Sequence, residues 1–238
     1  MSDAGSWREV EQRIAKVVKG SVRPVGVAFL DHEPTGIKKI EGTQPSSCSF
    51  WRLAAEGRTF YTLPENHFNC AVGAYTHNIP LSPEREKETG DTLKMMFDLG
   101  YVRPEEVPQI PRLAKTPKAI VYSPLGEMPV DPDVVLFALK PSAAMLLQEA
   151  AGRAGVGTGA PALGRPTCMA IPAAMSHGAV ASTGCIGNRI YTDIGEDELY
   201  VTLRGQDLER IAAELDTIAN ANTTLTGYHQ ERRARLTA

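Results

Sequence analysis

The sequence predicts an α+β protein with a mixed sheet and flanking helices. Short apolar runs of the kind found in buried strands alternate with segments in which apolar residues recur at helical spacing. Several helical segments begin at a Ser or Pro and end at a Gly, which is typical of helix boundaries. The chain of 238 residues is long enough for one domain with a sizeable core.

The elements follow in order along the chain. A capping box, with Ser6 as N-cap and Glu9 three residues later, opens the first helix. Apolar alternation or continuous apolar runs predict strands at residues 25–30, 37–40, 58–63, 119–122, 134–139, 189–192 and 199–203. Helical spacing predicts further helices at residues 47–56, 70–77, 84–99 and 142–151 and from 207 onward. Gly and Pro predict turns or loops at residues 64–69, 103–111, 152–166 and 182–188.

A weak internal repeat runs through these elements. The order strand, helix, Ala-Ala, Gly-Arg, loop and Cys occurs twice, ending at Cys70 and at Cys168. We therefore expect a single domain over residues 1–238, built from related halves at 21–115 and 116–238, with chance similarity as the alternative.

Composition narrows the class of function. The formal net charge is −3 with a pI near 6.0, so a nucleic-acid binder is not expected. No apolar run approaches a membrane span, and the first residues lack a secretory signal. We expect a cytoplasmic protein whose partners are a small-molecule substrate or an electron-transfer protein, with a homodimer as the default assembly. In a reducing cytoplasm the four cysteines are core residues, catalytic thiols or metal ligands rather than disulfides.

Three cysteines share an unusual local context. Cys48, Cys70 and Cys168 each follow a residue type preferred at helix N-caps, namely Ser, Asn and Thr. A cysteine in the first turn of a helix faces open N–H groups and the positive end of the helix dipole, which lower the thiol pKa. The same N–H groups can donate to cluster sulfurs.

The fourth cysteine lies in a glycine-rich turn. Cys185 follows Gly184 and stands two residues before Gly187, so the backbone here can approach a bulky cofactor closely. No C-x-x-C pair is present, so any shared site must be assembled by the fold from distant segments. A small buried hydrophobe is the alternative for each cysteine taken singly.

Three further side chains are candidates for catalysis. Glu65 and His67 precede Cys70 in a dense polar segment and could act as general acid or base. Arg189 could bind a substrate carboxylate bidentately. The alternatives are an ordinary polar loop for the first pair and a surface strand position for Arg189.

Several of these segments together resemble a known family. They are the first strand, Pro-Val-Gly-Val-Ala-Phe-Leu; the Ser-Cys pair before Ala-Ala-Glu-Gly-Arg; Glu65 to Ala74; Pro-Asp-Val-Val in mid-chain; Cys168; and the turn Gly-Cys-Ile-Gly-Asn-Arg. This pattern resembles domain of unknown function family 169, also labelled ArCR, from the first strand to the last helix. The resemblance implies a soluble prokaryotic protein with these cysteine segments as hallmarks, and it carries no established activity.

The leading hypothesis is an iron–sulfur protein, with a [4Fe–4S] cluster favoured and lyase or redox chemistry on a small molecule. Four thiolates could hold the cluster. In a variant with one iron open to substrate, Cys70, Cys168 and Cys185 are the ligands, and Cys48 or Glu65 acts nearby.

Two other hypotheses stay open. The same four cysteines could hold a structural zinc ion in a tetrahedral site without catalysis. Alternatively, the protein is a metal-free thiol enzyme with Cys70 or Cys185 as nucleophile and His67 or His177 as base.

Overall fold

The computed structural model describes residues 4–157 and 162–237, and it confirms the α+β class. The described strands form one seven-stranded sheet in the order β2-β3-β1-β4-β7-β6-β5. Neighbouring strands are antiparallel, except for the parallel edge pair β5–β6. In chain order they are β1 (Val25–Leu30), β2 (Phe60–Thr62), β3 (Ala119–Pro124), β4 (Val134–Leu139), β5 (Ala162–Leu163), β6 (Ala179–Ser182) and β7 (Leu199–Arg204).

Helices cover both faces of the sheet. None of them, within the described residues, is long and apolar enough to cross a membrane. The α-helices are α1 (Ala4–Val17), α2 (Cys48–Ala55), α3 (Ala71–Thr76), α4 (Pro83–Asp98), α5 (Pro141–Arg153), α6 (Ala170–His177), α7 (Ile186–Thr192) and α8 (Leu208–Thr237). Short 3₁₀ turns occur at Pro64–His67, Pro104–Gln109, Leu125–Glu127, Thr167–Met169 and Gly205–Asp207.

Strand alternation divides the core into two layers. One face, here called the first face, carries Val121, Val135 and Leu203 and is covered by α1, α5 and α8. The opposite, second face carries Ile120 and Leu136 and is covered by α2 and α6. Because successive strand side chains point to opposite faces, one strand supplies both layers. The candidate site lies on the second face.

The central strands come from distant parts of the chain. Strand β1 pairs with β3 on one side and with β4 on the other, and β3 lies between β1 and β2. Both proposed halves therefore contribute to one continuous sheet. Their relationship by an internal repeat stays a prediction.

Most predicted elements are confirmed, but the region around Arg189 is not. The predicted strand at residues 189–192 is wrong, because these residues belong to helix α7. The carbonyl of Cys185 accepts the first helical hydrogen bond, from the Arg189 N–H at 3.0 Å. The apolar side chains that suggested a buried strand, Ile190 and Tyr191, are exposed.

Three other differences concern short segments. The predicted strand at 37–40 is reduced to one bridge between Lys39 and Tyr61. Helix α6 and strand β6 were not predicted, because α6 is short, is apolar around its surface and contains Pro172 in its first turn. Part of the predicted 152–166 loop, residues 158–161, lies outside the described residues.

Candidate functional site

All four cysteines lie at the beginning of helical segments on the second face of the sheet. Cys48 is the first residue of α2, and Cys168 lies in the 3₁₀ turn that leads into α6. Cys70 and Cys185 are the N-caps of α3 and α7. The sequence predicted this context for three of them, and the structure adds Cys185 to the set.

The four thiols share one electrostatic neighbourhood. Burial, followed by the charges of Cys70 and Cys185, raises the pKa of Cys48 to about 12. Burial and the charges of the other three cysteines raise the pKa of Cys168 well above its ordinary value. The lowered thiol pKa that we expected from helix dipoles is therefore wrong for Cys48 and Cys168, because loss of solvent outweighs the dipole.

Hydrogen bonds tie the Cys70 segment to the start of α2. The Cys70 sulfur accepts the Gly73 N–H at 3.3 Å and lies 3.7 Å from the Ser46 hydroxyl. The Ser46 hydroxyl in turn accepts the Cys48 N–H at 3.2 Å. A Cβ atom on Gly73 would lie 2.6 Å from the Ser47 Cβ, so α3 approaches α2 this closely only because this residue is glycine.

A second set of bonds ties the remaining two cysteines together. The Thr167 hydroxyl accepts the Cys185 N–H at 2.5 Å, which links the turn before α6 to the cap of α7. The Thr76 hydroxyl of α3 interacts with the Cys168 thiol. Helix α3 therefore contacts both the Cys48 and the Cys168 segments.

A buried histidine lies behind this cluster. His67 Nδ1 lies 2.9 Å from the Ser47 hydroxyl, and Nε2 lies 2.9 Å from the Thr62 hydroxyl. The Thr62 hydroxyl also donates to the Ile120 carbonyl at 3.4 Å, which joins His67 to the backbone of β3. Burial and the nearby His77 hold the pKa of His67 well below 6.5, so the ring is neutral. Both ring nitrogens bond to hydroxyls, so His67 positions Ser47.

Several buried polar atoms near the thiols have no hydrogen-bond partner among the described residues. The Asn188 amide lies beside the Cys48 thiol and the Tyr200 hydroxyl, yet neither of its polar atoms makes a hydrogen bond of ordinary geometry. The Tyr122 hydroxyl, close enough to Cys48, Cys70 and Cys168 to sense their charge, is also without a partner. Buried polar groups in folded proteins are nearly always satisfied, so these unpartnered atoms beside the thiols are unusual.

The other predicted site residues lie apart from the thiols or serve the backbone. Glu65 is exposed and forms an ion pair with Lys39 at 3.1 Å. Gly184 has φ +80°, and an added Cβ would approach Asn188 Oδ1 at 3.0 Å, so this turn requires glycine. A Cβ atom added to Gly187 would meet only the Tyr191 ring, at 3.6 Å.

Arg189 holds the backbone around α7. Its guanidinium donates to the carbonyl oxygens of Thr183, Gly195 and Glu198, the last two at 3.0 and 2.9 Å. These bonds fix the segments on both sides of the helix that Cys185 caps. The sequence suggested that Arg189 binds a substrate carboxylate. In the structure its guanidinium instead donates hydrogen bonds to the main chain.

The donor set has a clear chemical character. Sulfur ligands favour iron–sulfur clusters, zinc and Cu(I) over hard cations. Within the described residues, however, no three His, Cys, Asp or Glu side chains are arranged so that they could hold one metal ion. The thiols are neighbours, but they do not meet around a single point.

Fold and site together define an α+β protein with four neighbouring thiols, two buried and two half-buried. The chain belongs to the uncharacterised ArCR family, domain of unknown function family 169, whose model matches residues 13–214 and so includes every cysteine. Neither a curated protein nor a solved structure matches the chain.

Sequence reasoning missed several side chains that surround the thiols. Strand alternation indicated that Tyr122 shares a face with Ile120, but not which helices cover that face. Asn188 lay in a segment predicted as a turn, so its burial carried no sequence signal. Thr167 was visible only as a cap candidate and Ser46 was not singled out, whereas both accept N–H groups of cysteines.

Proposed function

We propose that this protein binds an iron–sulfur cluster, with [4Fe–4S] favoured, through Cys48, Cys70, Cys168 and Cys185. One observation carries the proposal. The chain has only four cysteines, they come from four separate segments, and all four lie in one neighbourhood in which Cys48 and Cys168 are buried and Cys70 and Cys185 are half-buried. Independent core thiols have no reason to collect in this way.

The atoms around the thiols suit such a cofactor. The Asn188 amide offers an N–H group and Tyr122 offers a hydroxyl, both buried and without a partner in the described residues. Hydrogen bonds to cluster sulfurs are a main determinant of cluster potential. Burial of Cys48 and Cys168 also keeps solvent away from two ligand positions.

The thiol arrangement favours a cluster over a single zinc ion. Zinc with Zn–S bonds of about 2.3 Å needs its sulfurs packed tightly around one point. The described thiols do not offer such a point. A cluster has several metal atoms and holds its ligand sulfurs further apart than a single zinc ion does.

When bound, a cluster supplies either electron transfer or a Lewis-acidic iron for a small molecule, as in a lyase or oxidoreductase. The residues bind its irons as thiolates and release protons on loading. The charges of Cys70 and Cys185 act on Cys48 as they do on Cys168, so we propose Cys48 as a full ligand. The reducing cytoplasm, where thiols stay unoxidised, suits this role.

A metal-free thiol enzyme is the weaker alternative. The raised pKa of Cys48 and of Cys168 keeps both protonated and poorly nucleophilic at neutral pH. Cys70, half-buried and bonded to the Gly73 N–H, is the better nucleophile candidate. Its predicted base, His67, instead bonds to Ser47 and Thr62.

Single Cys→Ser substitutions test the proposal. Each variant is purified without oxygen, reconstituted with iron and sulfide, and analysed for metal content and visible absorption. We expect loss or conversion of the cluster in all four variants. Ser123→Ala is the matched control, because Ser123 is buried on the first face with Thr59 as its partner. It should load as well as the wild-type chain.

Each alternative has its own outcome. One zinc per chain without sulfide supports the structural zinc site. A chain that never takes up metal, and in which only Cys70→Ser abolishes an activity, supports the thiol enzyme. Either result would contradict the proposal that this chain binds an iron–sulfur cluster.

A further inference from the structure

The outer half of α8 extends beyond the folded body. Residues Leu208, Ile211, Ala212 and Leu215 are buried against the first face. From Asn220 to Thr237, by contrast, every described residue is exposed or only partly buried. We call residues 219–237 the outer α8 segment. At a rise of about 1.5 Å per residue, it spans roughly 28 Å.

This segment is a poor helix by its own composition. It contains two asparagines, four threonines and Gly227, all weak helix formers in an exposed position. In proteins, most helix stability comes from packing of an apolar face rather than from helix propensity. Contacts with something outside the chain's own core would stabilise it.

One side of the segment is apolar. Leu225, Tyr228 and Leu236 are 56%, 49% and 73% exposed, and they continue the line of Ile218 at helical spacing. Beside them a groove of about 550 Å³ runs between α5 and the outer α8 segment. Its walls include Met145, Leu146, Glu149, Ile218, Leu225 and Arg233.

The charges along this surface are self-complementary. The α5 rim carries the exposed Glu149, and Glu214 lies close by on α8. The end of α8 carries Arg232, Arg233 and Arg235. Within the described residues, Glu149, Arg233 and Arg235 make no ion pair.

We propose that a second copy of this chain occupies the groove, its outer α8 segment running antiparallel to the first. A two-fold axis near Leu225 makes the contact isologous, so each copy both offers and fills a groove. Leu225 meets its counterpart at the axis. The basic end of each helix reaches the Glu149 rim of the other copy, and the aliphatic stem of Arg232 covers the partner's Ile218.

Sedimentation equilibrium of the purified full chain tests the interface. The wild-type chain should have twice the monomer mass of 25.7 kDa. Leu225→Glu should be monomeric and should lose helical circular dichroism from the freed segment. Leu99→Glu is the matched control, because Leu99 is also an exposed leucine but is the C-cap of α4, and this variant should stay dimeric.

Charge reversal tests the register. Arg233→Glu should weaken the dimer roughly tenfold, and Glu149→Arg in the same chain should restore it. A wild-type chain that is monomeric, whether its groove is empty or binds a different macromolecule, overturns the proposal. So does a Leu225→Glu variant as dimeric as the wild type. Neither of these measurements depends on iron content, so the dimer proposal and the cluster proposal are tested independently.

Discussion

The backbone N–H of Cys185 donates a 2.5 Å hydrogen bond to the Thr167 hydroxyl. This bond joins two cysteine segments that are far apart in the chain and leaves the adjoining thiols, Cys168 and Cys185, on the same side of the sheet. The candidate site is therefore held together by hydroxyl groups as well as by apolar packing.

Removing this acceptor should loosen the site. Thr167→Val keeps the shape of the fully buried Thr167 but leaves the Cys185 N–H without a partner. We expect the free energy of unfolding to fall by about 1–3 kcal/mol. Thr167→Ser, which keeps the hydroxyl, should cost less. Equal stability of the Val and Ser variants in urea titrations would show that the bond is unimportant.

The close approach of α3 to α2 depends on Gly73. Gly73→Ala would place a Cβ 2.6 Å from the Ser47 Cβ and 3.0 Å from the Cys70 sulfur. We expect a loss of about 1–3 kcal/mol in stability, measured by chemical denaturation.

Gly90→Ala is the control for that substitution. Gly90 lies in α4 with open space around its Cα, so alanine there should stabilise the helix by up to about 1 kcal/mol. If both alanine variants have the same stability, the tight contact is not real.

The buried histidines should make the fold sensitive to acid. Burial lowers the pKa of His77 to about 4 from 6.5, so the folded chain holds this ring neutral. As the pH falls below 6.5, the unfolded chain binds the proton first, and stability declines until the folded ring titrates near pH 4. Burial also lowers the pKa of His67, so this ring likewise makes the folded chain less stable as the pH falls.

A single variant isolates this effect. His77→Asn keeps a donor for the Gly73 carbonyl, which His77 Nδ1 contacts at 2.6 Å, but cannot titrate. The free energy of unfolding, followed from pH 7 downward, should fall less steeply in the variant. An unchanged slope would contradict the burial of this ring.

Arg189 is expected to act on stability rather than on substrate binding. Arg189→Lys removes the planar fork that reaches three backbone carbonyls. We expect a loss of about 2 kcal/mol in thermal or chemical denaturation. A variant of wild-type stability that had lost only affinity for an acidic substrate would instead support the carboxylate clamp.

Most of the fold could be predicted from the sequence, because strong patterns mark its main strands and helices. Continuous apolar runs marked β1 and β4, and capping residues with helical spacing marked α2 and α4. The patterns failed where elements were short. Helix α7 has only seven residues, and its exposed Ile190 and Tyr191 imitate a strand.

Only part of the candidate site could be predicted from the sequence. Local context pointed to Cys48, Cys70 and Cys168, because N-cap preference is a property of adjacent residues. Their assembly depends on long-range packing, which no local pattern encodes. For the same reason burial reversed the predicted pKa direction for Cys48 and Cys168. Asn188 and Tyr122 became candidates only through their position beside the thiols.

The most direct test of the four-thiol site is the iron and acid-labile sulfide content of the chain after anaerobic reconstitution. We predict about four iron and four sulfide per chain, with broad visible absorption, and loss of both in Cys168→Ser. A wild-type chain that is colourless and free of iron and sulfide would contradict it.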